Sequence, residues 1–179
     1  RPPGVVSGSL LLNGQELVGA SERLWCKMRR GTISLVTQDA RSALLPTISI
    51  GDQIAQPMAK GLFRSKKPAK EKAIELLEKV GIPNPDEFAK RKPLNLSGGQ
   101  KQRVGLARAL AANPDVLIAD APTSALDVSS RGNIINLLNE YATDRALVFL
   151  TQDASLVPYA CDEVLVLEHG EIVQSSKVR

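Results

Sequence analysis

Two short apolar runs limit what this chain can fold into. Val116-Leu117-Ile118-Ala119 and Ala146-Leu147-Val148-Phe149-Leu150 carry no polar side chain until they end, the first in Asp120 and the second in Thr151-Gln152-Asp153. A strand wetted on one face alternates apolar and polar residues. A strand without that alternation is covered on both faces, as in parallel sheets layered by helices. The sequence between the runs is helical, with Ile134, Ile135, Leu137 and Leu138 apolar within 131–141. A second helical stretch runs from about Gln100 to Ala112 and is stopped by Asn113-Pro114. Buried strands alternating with helices predict an α/β domain around a parallel sheet. Polar residues at the carboxyl ends of such strands stand where ligands bind in this architecture.

The flanking sequence is consistent with that core. Asn13-Gly14 between short strand-like runs predicts a tight hairpin. Ser21 suits the N-cap of a short helix, and Ile33 to Thr37 is rich in β-branched residues, as strands are. The stretch from Gln38 to Pro57 mixes Pro, Ser, Thr and Gly and starts as loop. Ala73, Ile74, Leu76, Leu77 and Val80 are helically spaced, with Gly81 as the stop and Ile82-Pro83-Asn84-Pro85 as a breaker. A short helix over 155–160 and a hairpin turning at His169-Gly170 complete the chain.

A length of 179 residues favours one domain, or one domain with a lobe. Apolar residues make up 43%, enough for a core and against disorder. No apolar run is long enough to cross a bilayer as a helix, and no basic-then-apolar leader opens the chain, so a cytosolic setting is expected. Cys26 and Cys161 are the two cysteines and His169 the one histidine, which excludes disulfide frameworks and multi-histidine metal sites. The formal charge is +4, yet residues 60–108 hold 13 basic and 5 acidic side chains. Such a zone suits phosphates, nucleic acid or an acidic partner, and equally an ordinary solvated helical face. Aromatics at 3% argue against a stacking platform for single strands.

Chemistry concentrates in two places. Leu96-Ser97-Gly98-Gly99-Gln100 opens a helix, and two glycines there leave backbone N–H groups open to an anion favoured by the helix dipole. The same residues also suit a plain serine cap with a glycine hinge. Asp120 leaves the end of a buried-type strand, a position that can hold Mg²⁺ beside a nucleotide or simply meet solvent. The order of the two, followed by Thr123-Ser124-Ala125-Leu126-Asp127, is rarer than either piece.

At these residues the chain resembles the ATP-binding subunits of ABC transporters. LSGGQKQRV is similar to their signature motif, VLIAD to their Walker B strand and SALD to their D-loop, and Gln38 stands as the Q-loop glutamine. TQDARSALLPTISIGDQIAQP, VGIPNPDEFAKRKPLNLSGGQ and RPPGVVSGSLLLNGQEL are similar to the oligopeptide and dipeptide importer group. The resemblance covers essentially the whole chain. It implies a P-loop NTPase-like parallel sheet core and an inserted helical lobe over about 45–112. Residues 1–179 would then form a partial ABC ATP-binding domain. It also implies ATP and Mg²⁺ as ligands. Ser97, Gly98, Gly99 and Gln100 would contact nucleotide, Asp120 and Gln38 would hold metal and water, and Asp127 would couple two sites.

Three departures bear on activity. No G-x-x-x-x-G-K-[ST] occurs, so the phosphate-cradling loop is absent and the chain is expected to begin just after it. The strand leading into that loop would be missing too, leaving a central slot of the sheet empty. Ala121 stands where the family has a glutamate that polarises water, and Gln152 where it has a switch histidine. A methyl group accepts no proton, and glutamine carries no positive charge. His169 falls in a hairpin turn and reads as a surface histidine. Catalytic residues are therefore not assigned.

In this family two domains pair head to tail, each ATP lying between one domain's phosphate loop and the other's signature motif. A chain altered in its own site still supplies Ser97, Gly98 and Gly99 to a partner. The resemblance thus implies a transporter subunit at the inner face of the membrane, partnered by a second ATP-binding domain and by membrane-spanning subunits. Alone it is expected to show no ATPase activity. Arg41, Ser42 and Leu44 are candidate contacts to the membrane subunits, and Lys101, Arg103 and Arg108 could face the partner's triphosphate. The alternative is a non-hydrolytic regulatory or structural module docked on membrane subunits or on a competent ATPase. A soluble family member acting on DNA or ribosomes fits less well, because no heptad run appears and 179 residues cannot hold two such domains. No nucleic acid partner is expected.

Overall fold

A computed structural model describes residues 7–39, 43–59 and 66–178. In chain order the elements are β1 (Leu11–Leu12), β2 (Gln15–Glu16), α1 (Glu22–Met28), β3 (Ile33–Val36), α2 (Ile50–Ala59), α3 (Lys66–Lys79) and α4 (Pro85–Ala89). They continue with α5 (Gly98–Ala111), β4 (Val116–Asp120), α6 (Val128–Ala142), β5 (Ala146–Leu150), α7 (Val157–Ala160), β6 (Glu163–Glu168) and β7 (Glu171–Lys177).

β3, β4 and β5 form a parallel sheet with β4 in the middle, in register Val36↔Ala119↔Phe149 and Leu35↔Ile118↔Val148. Side chains alternate across a strand, so each register row belongs to one face. Val36, Leu117 and Ala119 lie on the face packed by α5 and α6 and are buried in one continuous core. Ile33, Leu35, Ile118, Val148 and Leu150 lie on the other face. There Leu35 is 55%, Val148 48% and Leu150 45% exposed. The three strands are immediate neighbours, so no slot opens between them. What the described residues leave open is this apolar face and the outer edge of β5.

α2, α3, α4 and α5 pack together around Ile50, Ile54, Met58, Leu77, Val80, Phe88 and Val104. Two of these helices were hard to see in the sequence. α2 contains Pro57, and α4 starts at Pro85, inside the apparent breaker. A proline at the first helical position gives up an N–H that would be unpaired anyway, so it starts α4 rather than preventing it. Pro57 is the eighth residue of α2, so it forgoes a helical N–H bond there, and tertiary packing of α2 against α3 and α5 sustains the helix through it.

Two antiparallel hairpins flank this core. β1 and β2 turn at Asn13-Gly14, both with positive φ, which matches the twist of a two-residue turn. β6 and β7 turn at His169-Gly170, again both at positive φ, with an irregularity between Val166 and Leu167. Leu165, Val166, Leu167, Ile172 and Val173 of this second hairpin are exposed.

Candidate functional site

The carboxyl ends of β4 and β5 and the residues after β3 line one cleft of about 370 Å³, walled by Gln38, Asp120, Ala121, Thr123, Ser124, Arg131, Thr151, Gln152 and Asp153, with Leu150 and Leu156. Four positions singled out in the sequence thus meet in one place: Gln38, Asp120, Ala121 and Gln152. They come from three segments that the parallel register aligns at the same end of the sheet. Asp120 pairs in register with Leu150, on the uncovered side of β4.

The turn after β4 is held by backbone bonds. Ala121 N–H donates to Leu150 O (3.0 Å), and Ala121 O accepts from Ser124 N–H (3.1 Å). Ala121 sits at φ +45, a left-handed conformation unusual for a residue with a Cβ. Arg131 brings a cation that the sequence reading did not assign. Its Nε donates to Leu126 O (3.2 Å), and its guanidinium lies 3.6 Å from the Asp153 carboxylate. Bonds from Ser155 and the charge of Arg131 hold the Asp153 carboxyl below its usual range. No local sequence signal pointed to it, since its partners are a backbone carbonyl and an aspartate 22 residues on.

A hard divalent cation takes oxygen donors, and Mg²⁺ needs only one or two from protein when phosphates supply others. Asp120 and Gln38 in one cleft give that set. Among the described residues no cluster of three or more His, Cys, Asp or Glu side chains is built for a metal by itself.

The second candidate, Ser97 to Gln100, is at the start of α5. Ser97 Oγ accepts from Gln100 N–H (3.2 Å), and Gln100 Oε1 accepts from Ser97 N–H (3.0 Å), a reciprocal capping box. The serine-cap reading and the anion reading therefore coexist in these residues. The Gln100 carbonyl oxygen is turned back on its own turn. Gly98 and Gly99 are half-buried. Gly99 has a steric reason to lack a side chain, because a Cβ there would meet Ala125 O at 3.1 Å and Leu126 at 3.4 Å.

Asp127 is exposed and caps α6. Its carboxylate accepts from Ser130 N–H (2.9 Å), Ser130 Oγ (2.8 Å) and Ser129 Oγ, and these bonds hold its carboxyl well below the usual carboxylate range.

Two of the three cations after the glycine pair, Arg103 and Arg108, make bonds within the chain. Arg103 donates to Gly81 O (2.8 Å) and Ser130 Oγ (2.6 Å), and Arg108 donates to Ala43 O. Both fasten parts of their own chain together, so their side chains are held there. Leu44 is buried, not presented to a partner. Arg41 and Ser42 lie outside the described residues. His169 is exposed in its turn, remote in sequence from the cleft lining.

With this geometry in hand, comparisons with known proteins point one way. The family model described as ABC transporter matches residues 2–124. The oligopeptide transport ATP-binding protein OppD of Bacillus subtilis (strain 168) is 41% identical over 180 residues, covering 99% of this chain and 50% of that protein. The dipeptide transport ATP-binding protein DppD of Lactococcus lactis subsp. cremoris (strain MG1363) is 39% identical, covering 97% and 51%. The chain thus spans about half the length of these curated relatives. Among solved structures, the dimeric ATP-binding cassette MJ0796 in a post-hydrolysis state bound to ADP and Pi superposes with a TM-score of 0.87 at 29% identity, covering 97% of this chain and 74% of that one.

Proposed function

The chain belongs to the ABC transporter family, and on that premise we propose that it is part of an ATP-binding subunit of a peptide importer, acting at the cytoplasmic face of a membrane. Its task in this reading is to present Ser97, Gly98 and Gly99 to ATP held by a second ATP-binding domain, and to pass the closure of that pair to membrane-spanning subunits. One observation carries the reading: the stretch α5-β4 supplies both a helix N-terminus with two glycines and the Asp120 end of a cleft that Gln38, just after β3, also lines.

Each residue has a role that its chemistry supports. The N–H groups of Gly98 and Gly99, the Ser97 hydroxyl and the α5 dipole favour an anion. Asp120 and Gln38 supply oxygen ligands to Mg²⁺ on nucleotide in the chain's own cleft. Asp127 stands at the surface, where it can meet the opposite domain. ATP supplies the phosphoryl chemistry; these groups would orient it and hold the Mg²⁺ that offsets its charge. A phosphate loop outside these 179 residues completes the cleft. The uncovered sheet face and the open edge of β5 support that supplement.

Ala121 and Gln152 favour a second reading beside it. Both line the cleft, and neither can act as a charged general base or acid. A subunit that binds nucleotide in its own cleft but turns it over only in the partner's site is the consequence, and a non-hydrolytic module is its limit. The test is ATP hydrolysis by the chain alone, by a competent partner domain, and by their mixture. Expected is background activity alone, stimulation in the mixture, and loss of the stimulation with Ser97→Arg. Robust turnover by the chain alone contradicts the reading. An unchanged mixture rate with a cognate partner leaves only the regulatory module.

A further inference from the structure

Gly99 and Arg103 are four residues apart on α5 and so lie on the same helical face. Both face the segment that follows the cleft turn. At Gly99 the backbone approaches Ala125 O and Leu126 so closely that a Cβ would sit 3.1 Å from the carbonyl oxygen. One helical turn on, Arg103 Nη2 donates to Ser130 Oγ (2.6 Å) and lies 3.8 Å from the Asp127 carboxylate. Ser130 Oγ in turn donates to Asp127 Oδ2 (2.8 Å). The other arm of the guanidinium donates to Gly81 O (2.8 Å), beyond the end of α3. The Arg103 Nε–H is buried with no acceptor among the described residues, a desolvation cost set against the two bonded arms.

From these contacts we infer that Arg103 is a positioning residue that locks the Ser97–Gly99 turn to the Asp127 turn, so that one rigid unit presents both to the opposite domain. The inference deepens the proposed function and rests on it for its purpose; the lock itself is a property of this chain. Gly99 is small because the two turns touch, not only because an anion must approach. An arginine suits this lock better than a lysine. A planar fork reaches Gly81 O and Ser130 Oγ together, whereas a single ammonium on a flexible stem holds one well at a time.

The test is amide hydrogen exchange on the full chain, resolved to segments. Three N–H groups report the lock: Leu126, bonded to Thr123 O; Ser130, bonded to Asp127 Oδ1; and Gln100, bonded to Ser97 Oγ. Arg103→Gln is expected to speed exchange over 97–101 and 124–130 about tenfold, leaving α2 and β6–β7 unchanged. Ser130→Ala cuts the same link from the other side at a half-exposed position, and serves if the arginine variant folds poorly. The double variant is expected to exchange no faster than the faster single one, since both break one connection. Arg103→Lys is expected to recover only part of the protection. Unchanged exchange over 124–130, a uniform rise across α2 and α3, or simple additivity of the two variants overturns the lock. The proposed function fails on a different measurement, when Ser97→Arg leaves partner stimulation intact.

Discussion

Phe149 and Val148 are neighbours in β5, yet Phe149 packs against the helix-covered core while Val148 is 48% exposed. The same contrast separates Leu117 from Ile118 in β4 and Val36 from Leu35 in β3. One side of the sheet is finished, roofed by α5 and α6. The other is as apolar and has no roof among the described residues. Parallel sheets are built for cover on both faces, so the runs that first identified the strands call for a layer that these residues do not show. The cleft lies at the rim of that uncovered side, where Asp120 sits in register with Leu150. The Ser97–Gln100 turn, by contrast, belongs to the packed side and has its caps and contacts in place. In the proposed function, the roofed side is the one that would serve a neighbour.

Stability is the hardest test of this contrast. Leu117 is fully buried on the roofed face, and Leu117→Ala is expected to cost ~2–5 kcal/mol in urea unfolding. Val148→Ala on the bare face is expected to change stability by less than ~0.5 kcal/mol. If the valine costs as much as the leucine, the bare face is covered in solution and the two sides are alike.

A second test separates the two roles of Ser97. Ser97→Ala removes the cap and is expected to cost ~1 kcal/mol. Ser97→Asp retains an acceptor for Gln100 N–H and an acidic group at a helix N-terminus, so stability is expected to hold within ~0.5 kcal/mol. A negative charge in that turn opposes a triphosphate, so partner stimulation is expected to fall at least tenfold. Full stimulation by the aspartate variant reduces the turn to a cap.

Much of the packed side was legible because its signals are local. The Ser21 cap, Gly81 at φ +74 ending α3, and Asn113 after α5 follow from the conformational preferences of single residues. The gathering of Gln38, Asp120 and Gln152 followed from strand ends in a parallel sheet. Arg103, Arg108 and Arg131 were misread or missed for one common reason. Each has a backbone carbonyl among its partners, at Gly81, Ala43 and Leu126, and a carbonyl leaves no trace in a sequence. The bare face was hidden as well, since an apolar run tells that a surface wants cover and not whether cover is present.

The smallest expected effect lies in β1–β2, where Leu10 and Leu11 are exposed and most of the holding bonds are local, besides one from Asn13 Nδ2 to Asp115. The Glu16 carboxylate accepts from Ser9 Oγ and from the N–H groups of Leu10, Leu17 and Val18. Those bonds, with Ser9 the largest cause, lower its pKa from 4.5 to about 2. A carboxyl whose folded pKa is depressed stabilises the fold above its unfolded value and loses that help as pH falls through the folded one. The hairpin is therefore expected to be fully held above about pH 4.5 and to loosen between there and pH 2. Amide exchange at Leu10 and Val18 reads this directly, corrected for the intrinsic pH dependence of exchange. Glu16→Gln is expected to flatten the response while leaving Leu117 and its neighbours unaffected. If the roofed side of the sheet loosened over the same range with the same dependence on Glu16, the hairpin would be coupled to the core, and holding by mainly local bonds would no longer distinguish it from the packed side.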